Sequence, residues 1–336
     1  MGRGLRDTTE LLDWMRTNRD RVGLVVRRGD EGVVCHNEDG MFPLAAARVV
    51  LVLGAYAEAV GQRRVDPDEL VPLPRVQDWW VRATDSGAHM DAERDWRKRD
   101  RVVRGPVLQV PLDEVVTGMI RWSSNACADY LLDRLGAEAV NDWARRRGMS
   151  AQQPVYSMFG ELDGWFRHGE SWAALTPAER VAEMTRPRPE SRKVSRWRVN
   201  RLNARRQAVC AAVSCAGTPR EWAALVDRVH ADRAGMARGE AAVMRRHLGW
   251  PREVSERNAQ RFGVFESKAG SFAGVLTEVS YAVPVDGPPC LVVQFYRDLP
   301  VDVWNAMTRS LAHQRLVLEL ATGQRSTGEL AEALAG

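Results

Sequence analysis

Side chains that can gain, lose or share a proton are unevenly distributed along this chain of 336 residues. Of 48 basic residues, only Lys98, Lys193 and Lys268 are lysines. Burial can strip the proton from an amine and make it a base, whereas a guanidinium keeps its charge. Lys268 lies in "ESKAGS", Glu266 to Ser271, inside a strand-like run. In a chain that otherwise uses arginine, such a lysine is a candidate for a cleft position, against the plainer reading of an exposed strand side chain. Hydroxyl and amide groups come from "WSSNACADYLLDRLG", Trp122 to Gly136, where Ser123 and Asn125 mark a break between two helical patterns. Both are favoured helix caps, and capping is compatible with a site role. The five cysteines (Cys35, Cys127, Cys210, Cys215, Cys290) are scattered and odd in number, with no CxxC pair or Cys/His cluster. That spacing predicts buried thiols, with no disulfide framework and no metal site; no cofactor is expected.

The elements that must position these groups follow from hydrophobic period and turn signals. Thr8 or Thr9 can cap a first helix running to about Asn18. Val22–Arg28, "GDEG" and Val33–Asn37 read as a hairpin. "LAAARVVLVLGAYAEAV" is a helix buried on most sides. The stretch from Ser157 to about Gly217 is irregular in pattern and rich in Trp, Arg and Pro. Helical patterns return in "TPREWAALVDRVHADRAG" and "GEAAVMRRHLGW". Three strand-like runs follow, and "VDVWNAMTRSLAHQRLVLELAT" reads as a closing amphipathic helix. The expected fold class is α+β: a five-stranded antiparallel sheet flanked by the N- and C-terminal helices, with an all-helical lobe inserted between strands two and three. Residues 1–55 with 258–336 would form the sheet lobe. Residues 56–257 would form the helical lobe, with an Arg/Trp-rich insertion at about 165–206.

On this layout the sequence resembles the serine β-lactamase and penicillin-binding-protein superfamily, and the resemblance covers most of the chain. "FPLAAARVV" stands where that superfamily has its S-x-x-K helix start. "WSSNA" resembles its S-x-N loop, "ESKAGS" its K-T-G strand, and "DWWVRATDSGAH", Asp78 to His89, a segment of actinobacterial members. The resemblance implies a serine nucleophile on the first helical turn and a lysine three residues on, on the same face, as its base. It places Ala46 at the nucleophile position and Val49 at the base position, and neither side chain can attack or accept a proton. Shifting by one residue gives Ala45 and Arg48, and a permanently charged arginine is a poor base. Ser123 and Asn125 match the S-x-N loop, Lys268 the strand lysine and Gly270 the strand glycine. Ala269 replaces the hydroxyl residue between them, for which Ser271 can substitute. Glu161 in "FGELDG" resembles the Ω-loop glutamate, and Asp85 and His89 are weaker binding candidates.

Lactamase or transpeptidase chemistry through S-x-x-K is therefore not expected. Two functions remain. One is a pseudoenzyme that uses the cleft to bind a small molecule or peptide. The other is an atypical hydrolase, acyltransferase or cyclase built on Ser123 and Lys268, with Lys268 as base. The polar N-terminus lacks an apolar leader and no apolar run reaches membrane length, so the expectation is a cytoplasmic protein with no membrane partner. Net charge is +4. The basic run Arg186 to Arg206 lacks a nucleic-acid-binding module around it, so nucleic acid is not an expected partner.

Overall fold

The computed structural model describes residues 5–82, 84–185, 203–230 and 236–335. Its spine is one five-stranded antiparallel sheet, as expected. β1 (Val22–Arg28) and β2 (Val33–His36) form the hairpin, and β3 (Phe262–Phe272), β4 (Val275–Pro284) and β5 (Cys290–Tyr296) arise from the three late strand-like runs. The order β2-β1-β5-β4-β3 places the last strand beside the first. Every residue of β5 is buried, as its continuous run "CLVVQFY" requires of a central strand covered on both faces.

Register decides which side chains share a face. Val25 pairs with Val293, Val293 with Val279, and Val279 with Lys268. The three valines are buried in the core shared with the helices that lie between β2 and β3. Lys268 therefore ends an apolar row. On the opposite face, β1, β4 and β5 present Leu24, Val26, Leu276, Val292 and Tyr296 to three terminal helices: α1 (Thr8–Thr17), α9 (Ala312–Thr322) and α10 (Thr327–Leu334). Leu11, Leu316 and Leu330 are fully buried there, each contributing about 1.5–3 kcal/mol of apolar burial.

Between β2 and β3 the chain is mainly helical, and α2 (Val49–Gly61), apolar on nearly every side, packs against helices that include Ala137–Arg146. Other helices of this region include α3 (Ala88–Lys98), α4 (Leu112–Arg121), α5 (Asn125–Leu135), α6 (Met158–His168), α7 (Pro219–His230) and α8 (Arg238–Leu248).

Several sequence expectations need correction. Asp7, not a threonine, caps α1, accepting from the Glu10 N–H. The stretch expected to be irregular is largely helical where described: α6 is followed by a 3-10 turn at Gly169–Ala174 and by helices at Pro177–Met184 and Ala204–Ala211. Caps explain it: Ser157 and Asn203 cap two of these helices, and Thr176 with Glu179 forms a capping box before the third. Most of the basic run from Arg186 lies outside the described residues. The closing helix is broken at Leu311, whose φ of 55° is left-handed, and α10 lies beyond it. Cys35 is exposed, contrary to the expectation of uniformly buried thiols.

Candidate functional site

The chain enters α2 through a 3-10 turn, Ala45–Arg48, so the first helical turn is tighter than a regular helix start. Ala45 has φ 46°, a left-handed conformation that costs an alanine energy and turns the following backbone toward the sheet. Ala46 is half-buried, while Ala45 is 1% exposed. β3 packs directly on this turn. A Cβ added to Gly270 would lie 2.7 Å from the backbone nitrogens of both Ala46 and Ala47, so only glycine allows the approach. The Thr277 hydroxyl, opposite Gly270 on β4, donates to the Leu44 carbonyl at 2.9 Å and ties the turn to the sheet.

Two residues before Gly270, Lys268 is 2% exposed and its Nζ donates to Ser123 Oγ. No carboxylate lies within ion-pair distance of that amine among the described residues. Burial pushes the Lys268 amine down to about 7, against a weaker opposing pull from the Glu278 charge. Glu278 lies on the other face of β4, where its carboxylate accepts from Ser267 Oγ at 2.5 Å and Ser280 Oγ at 2.7 Å. Burial raises its pKa, with those bonds, one from Gln314 and the Lys268 charge working against burial.

Ser123 sits in the break between α4 and α5 at φ 58°, again left-handed. The cap of α5 is Ser124, which accepts from the Cys127 N–H at 3.2 Å, rather than Ser123 or Asn125. Freed from capping, Ser123 presents its hydroxyl to Lys268. Asn125 opens α5 and is 9% exposed.

His89 supports this loop through Ser124, the neighbour of Ser123. It is fully buried, with Nδ1 3.0 Å from Ser124 Oγ and Nε2 3.3 Å from Glu93 Oε1. Burial opposes its protonation, but contacts with Cys127 and Glu93 prevail and raise it to about 9. Asp85 is a turn residue that accepts from the Gly87 and His89 N–H groups. Glu161 is helical, on α6, and 2% exposed. It pairs at 2.5 Å with Arg48 Nη2, itself 1% exposed, and this buried pair is the feature that sequence reasoning missed. The Glu161 charge holds the guanidinium protonated although burial opposes it. Ala269 is half-buried opposite Glu278, and the exposed Ser271 accepts from Trp304 Nε1 at 3.0 Å. Trp165 and Trp172 are fully buried packing residues.

β3 thus carries two contacts two residues apart, Gly270 against the Ala46–Ala47 backbone and Lys268 with Ser123, while Val49 is 3% exposed. No cluster of metal-ligating side chains occurs among the described residues, and none of the described helices is long and apolar enough to cross a membrane.

A model of the beta-lactamase enzyme family matches residues 7–312. Among solved structures, the β-lactamase from Sphaerobacter thermophilus is similar at 17% identity and TM-score 0.57, covering 94% of this chain and 97% of that one. A class A β-lactamase of the last common ancestor of Gram-negative bacteria is similar at 14% identity and TM-score 0.58, covering 95% and 99%. A point mutant of PBP-A, solved as an acyl-enzyme complex with penicillin G, is similar at 15% identity and TM-score 0.52, covering 94% and 98%. These likenesses share the fold. No curated protein matches the chain in sequence.

Proposed function

This chain belongs to the beta-lactamase enzyme family, and from that premise we propose that it binds a small molecule or peptide in the retained cleft without S-x-x-K catalysis. In this reading Ala46 holds the nucleophile position and Val49 the base position. The neighbouring register is disfavoured because Ala45 is 1% exposed and Arg48 is turned away into its pair with Glu161.

The observation that carries the reading is Lys268. A buried amine at the end of an apolar row, with a serine hydroxyl but no counter-ion among the described residues, costs stability wherever it is protonated. Such a cost without local return is expected at functional positions. An anionic group on a ligand would supply the missing charge and re-protonate the amine.

Benzylpenicillin, whose carboxylate and acyl amide suit such a cleft, is the test probe. The expected result is saturable, reversible binding without a mass change, weakened at least about ten-fold by Lys268→Ala, or about 1.4 kcal/mol. An acyl adduct on the protein, or no binding up to the solubility limit, overturns the reading. The Ser123–Lys268 hydrogen bond favours a second reading, an atypical hydrolase, acyltransferase or cyclase with Lys268 as base to Ser123. Fluorophosphonate labelling at Ser123 would support its covalent form.

A further inference from the structure

Ser123 offers its hydroxyl to Lys268 from a left-handed backbone conformation, φ 58°, that a serine keeps only where its surroundings impose it. The next residue supplies the constraint. The Ser124 N–H donates to the Gly118 carbonyl at 3.1 Å, and Ser124 Oγ lies 3.2 Å from the Cys127 nitrogen and 3.0 Å from His89 Nδ1. The Cys127 contact is the ordinary bond of a helix cap. The imidazole is an addition, delivered by α3 from 35 positions earlier in the chain.

His89 is itself fixed in place. It is fully buried, with its ring centre 4.9 Å from that of Trp80 and 6.3 Å from that of Trp96. Its Nε2 faces Glu93 at 3.3 Å, and Glu93 accepts from Gln77 Nε2 at 2.7 Å and pairs with Arg97 at 3.6 Å. Cys127 is the other titratable group against the ring. Held protonated at neutral pH, the imidazolium donates from both nitrogens, and Ser124 Oγ accepts. Contacts thus run from Gln77 through Glu93, His89 and Ser124 to the residue that holds Lys268.

We propose that His89 is a positioning residue of the cleft: its Nδ1–H fixes Ser124 and so keeps Ser123 in the conformation from which the hydroxyl reaches Lys268. This role adds to the binding reading above and rests on it. Without the Nδ1 bond the loop relaxes toward an ordinary backbone conformation, and the amine loses its acceptor. A protonated amine gains more from that acceptor than a neutral one, so Lys268 then releases its proton at lower pH.

The two ends of the imidazole can be mimicked separately, Nδ1–H by the amide of asparagine and Nε2–H by that of glutamine. In 13C-lysine NMR of the full chain, with three lysines to resolve, Lys268 should titrate at least about half a pH unit lower in His89→Gln than in wild type. Ser124→Ala, the milder change, should match it, and the two together should go no lower than either alone. His89→Asn should restore the wild-type titration. Both His89 variants lose the imidazolium charge, so a merely structural role moves them together. Benzylpenicillin affinity should fall about three-fold or more in His89→Gln and recover in His89→Asn. A Lys268 titration unchanged in His89→Gln and Ser124→Ala, or displaced equally in His89→Gln and His89→Asn, overturns the proposal. If benzylpenicillin binds the wild type in that case, the positioning role alone is wrong. If it does not bind the wild type, the binding reading falls, and the Lys268 titration still decides the role of His89.

Discussion

Replacing Lys268 with methionine should make the protein more stable at neutral pH, and the gain should vanish as the solution becomes alkaline. The side chain is 2% exposed, and burial lowers its pKa from 10.5 to about 7. At about 1.4 kcal/mol per pH unit, that shift represents about 5 kcal/mol of lost folding free energy where the amine is fully protonated. Near pH 7 the relief is about 4 kcal/mol. The lost hydrogen bond to Ser123 returns about 1 kcal/mol of it, leaving about 3 kcal/mol in favour of the variant. The sign follows from proton counting. Between about pH 7 and 10.5 the unfolded chain holds a proton on this amine that the folded chain has released, so wild-type stability climbs with pH across that window. The penalty is complete below about 7 and gone above about 10.5. Urea unfolding of both proteins from pH 6 to 10.5 measures the difference. A 13C-lysine NMR titration follows the amine itself, since the chain has three lysines. A stability difference that stays flat across this range, or a Lys268 resonance titrating near 10.5, refutes the argument and removes the main support for the binding reading.

Four other outcomes are expected. Gly270→Ala should cost about 1–3 kcal/mol in urea unfolding, because its Cβ would press on the backbone of Ala46 and Ala47. Arg48→Met should cost about 3–5 kcal/mol by leaving Glu161 buried without its partner, and the Arg48→Met/Glu161→Gln double variant should recover most of that loss in the same assay. His89 has a folded-state pKa near 9, so its stabilisation is complete below about 6.5 and is lost as pH rises through 9; His89→Asn should lose up to about 3 kcal/mol at pH 6 and little at pH 9.5. Installing the missing pair by Ala46→Ser with Val49→Lys should create a penicillin-reactive hydroxyl at position 46, read as a benzylpenicilloyl mass increase on that residue. The His89 and Lys268 slopes oppose each other between pH 7 and 9, so each must be read as a difference from wild type.

Elements with strong local signals were legible in the residues. The hairpin, the three late strands and the apolar helix Val49–Gly61 stand where hydrophobic period and turn residues place them. Ser123 and Lys268, 145 positions apart, were paired only through resemblance, because no local rule of period or capping links them. Local signals were misread where several side chains competed for one job. Asp7 caps the first helix before either threonine can, and Ser124 takes the cap that Ser123 and Asn125 also offered. In the Trp/Arg-rich stretch the aromatic and charged residues masked three capped helices.

The order of residues by itself determined the α+β layout, the absence of a hydroxyl and an amine at positions 46 and 49, and the rarity of lysine. Only the tertiary structure decided what Lys268 and Arg48 are. Strand register puts Lys268 in line with Val279, Val293 and Val25, and packing of α6 brings Glu161 to Arg48. Composition sets how many charges a chain carries. Whether a charge is solvated, paired or stripped of its proton depends on neighbours distant in sequence, and folding alone supplies them.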